Sequence, residues 1–318
     1  MFTTAIFLNV LSLAVVSAWF TLLLQWPVSR AVLRRIPNVP AALQKTLLTA
    51  WVMLPIIIGL FCSIAFILNA FTDVMWAPLE MFIHWHHLFE FEWLTWHGGL
   101  LGVWSVATVW ILARHVWLVR AHRASLQSAL MMADGSVKRH SGYEFVCLQT
   151  AMPLAFTAGM LRPQVYLSQG LLERFDDAQL QCILAHEAAH QRQRDPLQKW
   201  LFSLASAYYP TSLRRTLRNA FDLASELQAD SRAGRETGAL NVASALVAFG
   251  KSERQWQMPL AVSFGQDFVS QRVRFLIEPA TFNMTIPATI GLVALAVLTA
   301  NLLSMDSLHH YIELILER

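Results

Sequence analysis

Long stretches without a charged side chain dominate both ends of this chain. No Asp, Glu, Lys or Arg occurs before Arg30, between Lys45 and Asp73, between Glu92 and Arg114, or between Glu278 and Asp306. A helix needs about 20 apolar residues to cross a hydrocarbon core of about 30 Å, so the pattern predicts transmembrane helices near residues 4–25, 47–71, 96–118 and 284–305. Between the third and fourth stretch the period changes. Tyr143 to Gln149 and Leu154 to Ser168 alternate apolar and polar positions, which predicts two or three short strands turning at Ala158-Gly159 and Arg162-Pro163. Helical spacing returns from Leu180 to Asp195, from Thr211 to about Gly234 and over Gly238–Gly250, and the segment Phe264–Leu276 is expected to pack back against them before the last span. The run Leu197–Tyr209 carries Lys199 and is too short to span, which predicts a buried or membrane-apposed helix.

Composition agrees with a membrane protein: 55% of the 318 residues are hydrophobic and 14% charged, far from the balance of an ordinary soluble domain. A cleaved signal peptide fits the first stretch poorly, because no basic segment precedes it and a basic one follows. Arg30, Arg34, Arg35 and Lys45 follow the first span, with Trp19, Trp26 and Pro27 at its end. Arg114, Arg120, Arg123, Lys138 and Arg139 lie at or after the end of the third. The segment between spans two and three carries Asp73, Glu80, Glu90 and Glu92 and no Lys or Arg. By the positive-inside rule, both termini and loop 72–95 then face outward, while residues 27–46 and 119–283 face the cytoplasm. Trp76, Trp85, Trp93 and Trp96 with Phe82, Phe89 and Phe91 make loop 72–95 an interfacial aromatic belt. His84, His86, His87 and His97 add an alternative, an external metal or pH sensor. Cys62, Cys147 and Cys182 are odd in number and two fall on the cytoplasmic side, so no disulfide is expected.

The chemistry sits in the helix from Leu180 to Asp195. His186 and His190, four residues apart, share a helical face, so both imidazoles reach one metal ion. Glu187 stands beside the first, placed to hold and deprotonate a water. Asp176 and Asp177 precede the helix where acids cap the first turn, Leu180, Ile183 and Leu184 form its apolar stripe, and Asp195-Pro196 closes it. On the next long helix Asp222, Glu226 and Asp230 recur every fourth residue. Glu226, at the centre, is the candidate third ligand, and Asp230 and Asp195 are candidates to orient the ligating imidazoles from their outer nitrogens. The competing reading makes HEAAH a solvated face and pairs the acidic stripe with Arg215, Arg218 or Arg232. Arg272 and Arg274 are candidates to polarise a substrate carbonyl or, more plainly, surface charges. The strand Ala155, Phe156, Thr157, Ala158 and Gly159 is a candidate edge on which an extended peptide adds itself, or a simple prop for the motif helix.

The order P-L-A-F-T-A-G-M-L-R-P, L-S-Q-G-L-L, I-L-A-H-E-A-A-H-Q-R-Q-R-D-P and E-L-Q-A-D resembles the bacterial membrane metallopeptidases related to the β-lactam-sensing antirepressors, the BlaR/MecR type. The motifs run from about Pro153 to Arg235, and the layout of spans extends the likeness over the chain. The resemblance implies a gluzincin-type zinc peptidase with one Zn2+ on His186, His190 and Glu226 and with Glu187 as base. It does not extend to a penicillin-binding sensor, since only residues 306–318 are expected to follow the last span.

The expected architecture is therefore a mainly α membrane protein. Three transmembrane helices occupy residues 1–118, an α+β zinc metallopeptidase domain occupies 119–283, and a fourth helix and a short outer tail follow. The expected setting is the bacterial inner membrane, with the lipid bilayer and a protein or peptide substrate as partners. No nucleic acid is expected, and a homo-oligomer is compatible with this layout. Regulated cleavage of a repressor or of itself is what the resemblance implies. Quality control of membrane proteins is the alternative among proteases, and a non-catalytic membrane sensor the alternative outside them.

Overall fold

The structure is a computed structural model that describes residues 2–71, 90–131, 133–255, 268–282 and 284–316. Helix α1 (Phe2–Arg35) and helix α2 (Ala41–Phe71) form a long hairpin. The basic loop expected between them is much reduced. Pro27 lies inside α1, Arg34 and Arg35 on its last turn, and Lys45 inside α2. A 3-10 turn, Ile36–Asn38, makes most of the connection. Proline is tolerated inside α1, and at Pro55 inside α2, because neighbouring helices can supply the polar contacts a broken ladder needs.

The two helices touch backbone to backbone at Gly59. A Cβ there would stand 2.6 Å from the carbonyl oxygen of Ala14. One turn on, Ser63 Oγ donates to Val10 O at 3.2 Å. Nearer the connection, Gln25 Nε2 donates to Trp51 O at 3.1 Å and Trp51 Nε1 to Ser29 Oγ at 3.2 Å, polar pairings in an otherwise apolar seam.

Helix α3 (Trp96–Leu130) packs its first turns on α1 and α2 through Trp96 and Leu100, and most of its length is exposed and apolar. Among the described residues, four helices are long and apolar enough to cross a membrane, with windows Thr4–Asn38, Ala41–Leu68, Trp96–Ala121 and Thr285–Ser304. All but the last run past the predicted spans. His84, His86 and His87, together with most of loop 72–95, lie outside the described residues. His97 is buried on α3 and stacked on Trp96.

After α3 comes a mixed sheet of β1 (Ala133–His140), β2 (Tyr143–Leu148), β3 (Ala155–Ala158) and β4 (Gln164–Ser168), in the order β1-β2-β4-β3. Strand β1 is not predicted by the alternation, because ADGSVKRH has almost no apolar side chains. It is held by antiparallel pairing with β2 across a tight turn in which Ser141 and Gly142 both have positive φ. β2 and β4 run parallel, and β3 pairs antiparallel with β4.

The sheet presents Phe145, Cys147, Val165 and Leu167 at every second position to the apolar stripe of the motif helix. A short helix α4 (Gln169–Leu172) leads to that helix, α5 (Asp177–Gln193), whose Leu180 and Leu184 complete the cluster. Helix α6 (Asp195–Ala205) and a 3-10 turn, Ser206–Tyr208, form the run too short to span. Helices α7 (Thr211–Thr237), α8 (Ala239–Gln255), α9 (Val269–Ile277) and α10 (Thr285–Leu316) complete the chain.

The largest core is shared between the apolar hairpin and the helices of the inserted segment. Trp51, Val52, Leu48 and Val39 pack with Phe202 of α6 and with Leu213, Leu217, Phe221 and Ala224 of α7, and Ile286 and Ile290 of α10 join them. Tyr209, just before α7, donates to Gln25 Oε1 at 2.8 Å. Helix α7 is thus fixed to the hairpin by packing and by a buried hydrogen bond.

Because Gly59 sits against an opposing backbone, Gly59→Ala is expected to push α1 and α2 apart and to destabilise the detergent-solubilised protein by about 1–3 kcal/mol. Gly102→Ala, where a Cβ meets nothing within 4 Å, is expected to leave stability unchanged or slightly raised. Unfolding followed by circular dichroism measures both, and equal shifts would remove the close-approach account.

Candidate metal centre

Two helices and one turn build the centre. Helix α5 starts on a capping box: Asp176 accepts from Gln179 N at 2.8 Å, and Gln179 Oε1 accepts from Asp176 N at 3.3 Å. Leu180 and Leu184 face the sheet, which leaves His186, Glu187 and His190 one turn further on toward α7 and β3. The helix does not run to Asp195 as the sequence predicts. Arg194 adopts a left-handed conformation, φ 54 and ψ 44, which stops α5 and lets Asp195 begin α6. That conformation costs a non-glycine residue about 1–2 kcal/mol. Its result is that Asp195 turns back onto the helix just left, where its Oδ2 accepts from His190 Nδ1 at 2.5 Å.

Helix α7 brings the acidic stripe. Glu226 Oε2 lies 3.4 Å from His186 Nε2 and 3.5 Å from His190 Nε2, and the two Nε2 atoms are 3.0 Å apart. One ligand atom from each of His186, His190 and Glu226 falls within 4.8 Å of the others. Asp230, fully buried, places Oδ1 2.9 Å from His186 Nδ1. Among the described residues, the lysine and arginine within 4 Å of this stripe are Lys199 and Arg272. Arg272 donates Nε and Nη2 to the two oxygens of Asp230 at 2.7 and 2.8 Å and holds Nη1 3.5 Å from Glu226 Oε2. Lys199 Nζ lies 3.3 Å from Glu226 Oε1 and 3.8 Å from Asp222 Oδ1.

The two arginine candidates separate. Arg272 is buried in the clamp just described, so it is no surface charge. Arg274 is exposed and faces Glu278 at 3.8 Å, away from the cluster. Thr157, named as a possible substrate contact, donates its hydroxyl instead to Glu187 Oε2 at 2.7 Å and to Glu187 O at 2.9 Å. Strand β3 thereby holds the carboxylate of Glu187. Ala155 and Phe156 pair with β4, Ala158 is buried, and Gly159, at φ 107, turns the chain where a Cβ would meet Arg162 O at 2.7 Å. On its other side β3 meets no strand among the described residues.

The donor set itself tests for a cation. His190 Nδ1 donates to Asp195, so the neutral ring presents a lone pair at Nε2, and the 2.9 Å approach of His186 Nδ1 to Asp230 Oδ1 favours the same tautomer there. Two lone pairs and a carboxylate then converge across about 3 Å, a like-signed arrangement that needs positive charge at its centre. Without a metal, protons supply it. Burial opposes the imidazolium of His190, but Glu226, Asp195 and Glu187 outweigh burial and push its pKa up to about 10. His186 moves the same way: burial lowers it, while Asp230 and Glu226 raise it more. Burial would raise the Glu226 carboxyl, yet the two imidazoles and Lys199 hold it well below the usual range.

Sequence spacing did not reveal Lys199, Lys45 or the bond from Thr157. Lys199 is visible in the sequence only as a charge interrupting an apolar helix, and no local pattern marks its distance from Glu226. Residues 121–220 match the model of Peptidase family M48. The match takes in the sheet and α5 with both histidines, supports a metallopeptidase, and ends before Glu226 and Asp230, whose place here rests on geometry. It is the peptidase character, and not the antirepressor subtype, that this match carries. No curated protein and no solved structure matches the chain.

A divalent ion entering the centre has to displace protons from His190, and at pH 7.5 uptake is expected to release about one proton or more per site. Calorimetry in buffers of different ionisation heat reads this directly, and an enthalpy independent of buffer would mean that the imidazoles are already neutral. The sign for stability follows from the raised value. In metal-free protein the His190 contribution is complete below its ordinary pKa of about 6.5 and is lost as pH rises through about 10. Thermal stability without metal should fall across that window, and metal-loaded protein should be spared that fall.

Proposed function

We propose that the protein is an integral-membrane zinc endopeptidase that cuts a protein substrate at the cytoplasmic face of a bacterial inner membrane. The observation that carries this reading is the convergence of His186, His190 and Glu226 from two separate helices. These three residues would hold the zinc, one ion per chain. Bound there, zinc supplies Lewis acidity that polarises a carbonyl and makes water reactive near neutral pH.

The chain's own residues account for the rest. Glu187 accepts the proton of the attacking water and passes it to the leaving amine. Thr157 keeps the Glu187 carboxylate aimed while it does so. Asp195 and Asp230 set the imidazoles so that both Nε2 atoms face the cluster. The open side of β3 can take an extended peptide as an added strand, which binds main chain with little demand on sequence. Residues 119–283 form the peptidase domain between spans three and four, and the charge pattern of the loops puts it inside with both termini outside. The likeness to the BlaR/MecR type favours regulated cleavage of a repressor or of the protein itself over general quality control.

Glu187→Gln is expected to keep one zinc per chain and to lose about 10²–10⁴-fold in peptide hydrolysis, while His186→Ala loses both metal and activity. Metal analysis and cleavage assays on detergent-purified protein check this, with cellular fragments compared between wild type and Glu187→Gln to reveal the substrate. Undiminished cleavage by the Gln variant would remove Glu187 from its role. A metal that survives changes at His186 and His190 but depends on His84, His86 and His87 would point to a sensor instead.

A further inference from the structure

Lys45 is the one basic residue of the expected first loop that the fold buries. It lies near the start of α2, immediately before the uncharged run that opens at Thr46, and is 6% exposed. Its ammonium pairs with Asp195 Oδ1 and stands 5.5 Å from the centroid of the Phe221 ring, on the helix that carries Glu226. The other oxygen of the same carboxylate accepts from His190 Nδ1 at 2.5 Å. One buried carboxylate therefore bridges an apolar helix of the membrane bundle and an imidazole of the metal centre.

A buried ammonium is costly unless it is well paired. For packing alone an uncharged chain of the same length, such as Met, would fill this place between Asp195 and Phe221. What Met could not do is donate to Oδ1, which the ammonium does, so that Oδ2 stays directed at Nδ1. That in turn leaves the Nε2 lone pair of His190 turned toward His186 and Glu226. We propose that Lys45 is a positioning residue of the metal centre, acting from α2 through Asp195 on His190. The proposal rests on the zinc-site reading above and adds to it a residue far away in sequence, on a helix outside the motif-bearing segment.

The test is zinc affinity of the full-length protein in detergent, measured by competition with a chromophoric chelator. Lys45→Met is expected to weaken binding about 10–100-fold, the usual effect of removing a partner that orients a ligand. In an Asp195→Asn background the same change is expected to have no further effect, because the bridge is already broken. Lys45→Gln, which keeps a donor for Asp195 and drops only the charge, provides a milder variant should Lys45→Met not fold, and is expected to weaken zinc binding by a smaller factor. Trp51→Phe, which loses the bond to Ser29, controls for general loosening of the hairpin: its melting temperature should fall without a change in zinc affinity. If wild type holds one zinc through His190 and neither Lys45 variant changes its affinity, the positioning role is overturned and the peptidase reading stands. Additive losses from Lys45→Met and Asp195→Asn would likewise overturn it. If wild type takes up no zinc at all, the peptidase reading fails and this role falls with it.

Discussion

Carboxylates gathered in a buried place need positive charge among them, and the rest of the site follows from that. Glu187, Asp195, Glu226 and Asp230 surround two imidazoles, and each is tied to a donor or cation: Thr157 to Glu187, Lys45 to Asp195, Lys199 to Glu226, Arg272 to Asp230. These partners come from β3, α2, α6 and α9, so assembling the charges assembles the fold. The carboxylate of Glu226 meets the two Nε2 atoms, between Lys199 and Arg272. A cation at this point answers the remaining field, and in its absence both imidazoles hold protons above their ordinary range, His190 up to about 10.

Such a cluster holds its geometry only if the helices that carry it cannot slide. Helix α5 is fixed below by the sheet, through Leu180 and Leu184 against Phe145, Cys147, Val165 and Leu167. Helix α7 is fixed on its other side by the apolar hairpin, through Leu213, Leu217 and Phe221 against Trp51, Val52 and Leu48, and by Tyr209 bonded to Gln25. The centre therefore lies between two hydrophobic cores, one of them shared with helices long and apolar enough to cross a membrane. A segment hung from the long apolar helices by flexible linkers would show no such shared core.

Much of this was legible from local pattern. The charge-free stretches marked the long helices, HEAAH marked one half of the centre, and the four-residue recurrence of Asp222, Glu226 and Asp230 marked the other. What escaped had no local cause. Strand β1 is held by its partner β2 and by a Ser141-Gly142 turn, against its own polar sequence. The break at Arg194 places a residue where its intrinsic preference does not lie, for the sake of the Asp195–His190 contact. Lys45, Lys199 and Arg272 looked alike in sequence to the exposed Arg274, because only the tertiary fold decides which cation meets a carboxylate.

The rotation of α7 explains why its acids form a site and not a solvated face. Leu213, Leu217, Phe221 and Ala224 define its buried seam, and Asp222, Glu226 and Asp230 recur every fourth residue on the opposite face. One residue turns a helix by about 100°, so the seam and the acids stand roughly half a turn apart, the seam against the hairpin core and the acids against α5. A seam shifted by one residue would carry Glu226 away from α5 and direct it either into apolar packing or out to water. Helix α7 therefore serves two roles with two faces: its leucines choose the rotation, and that rotation delivers the carboxylate to the two imidazoles.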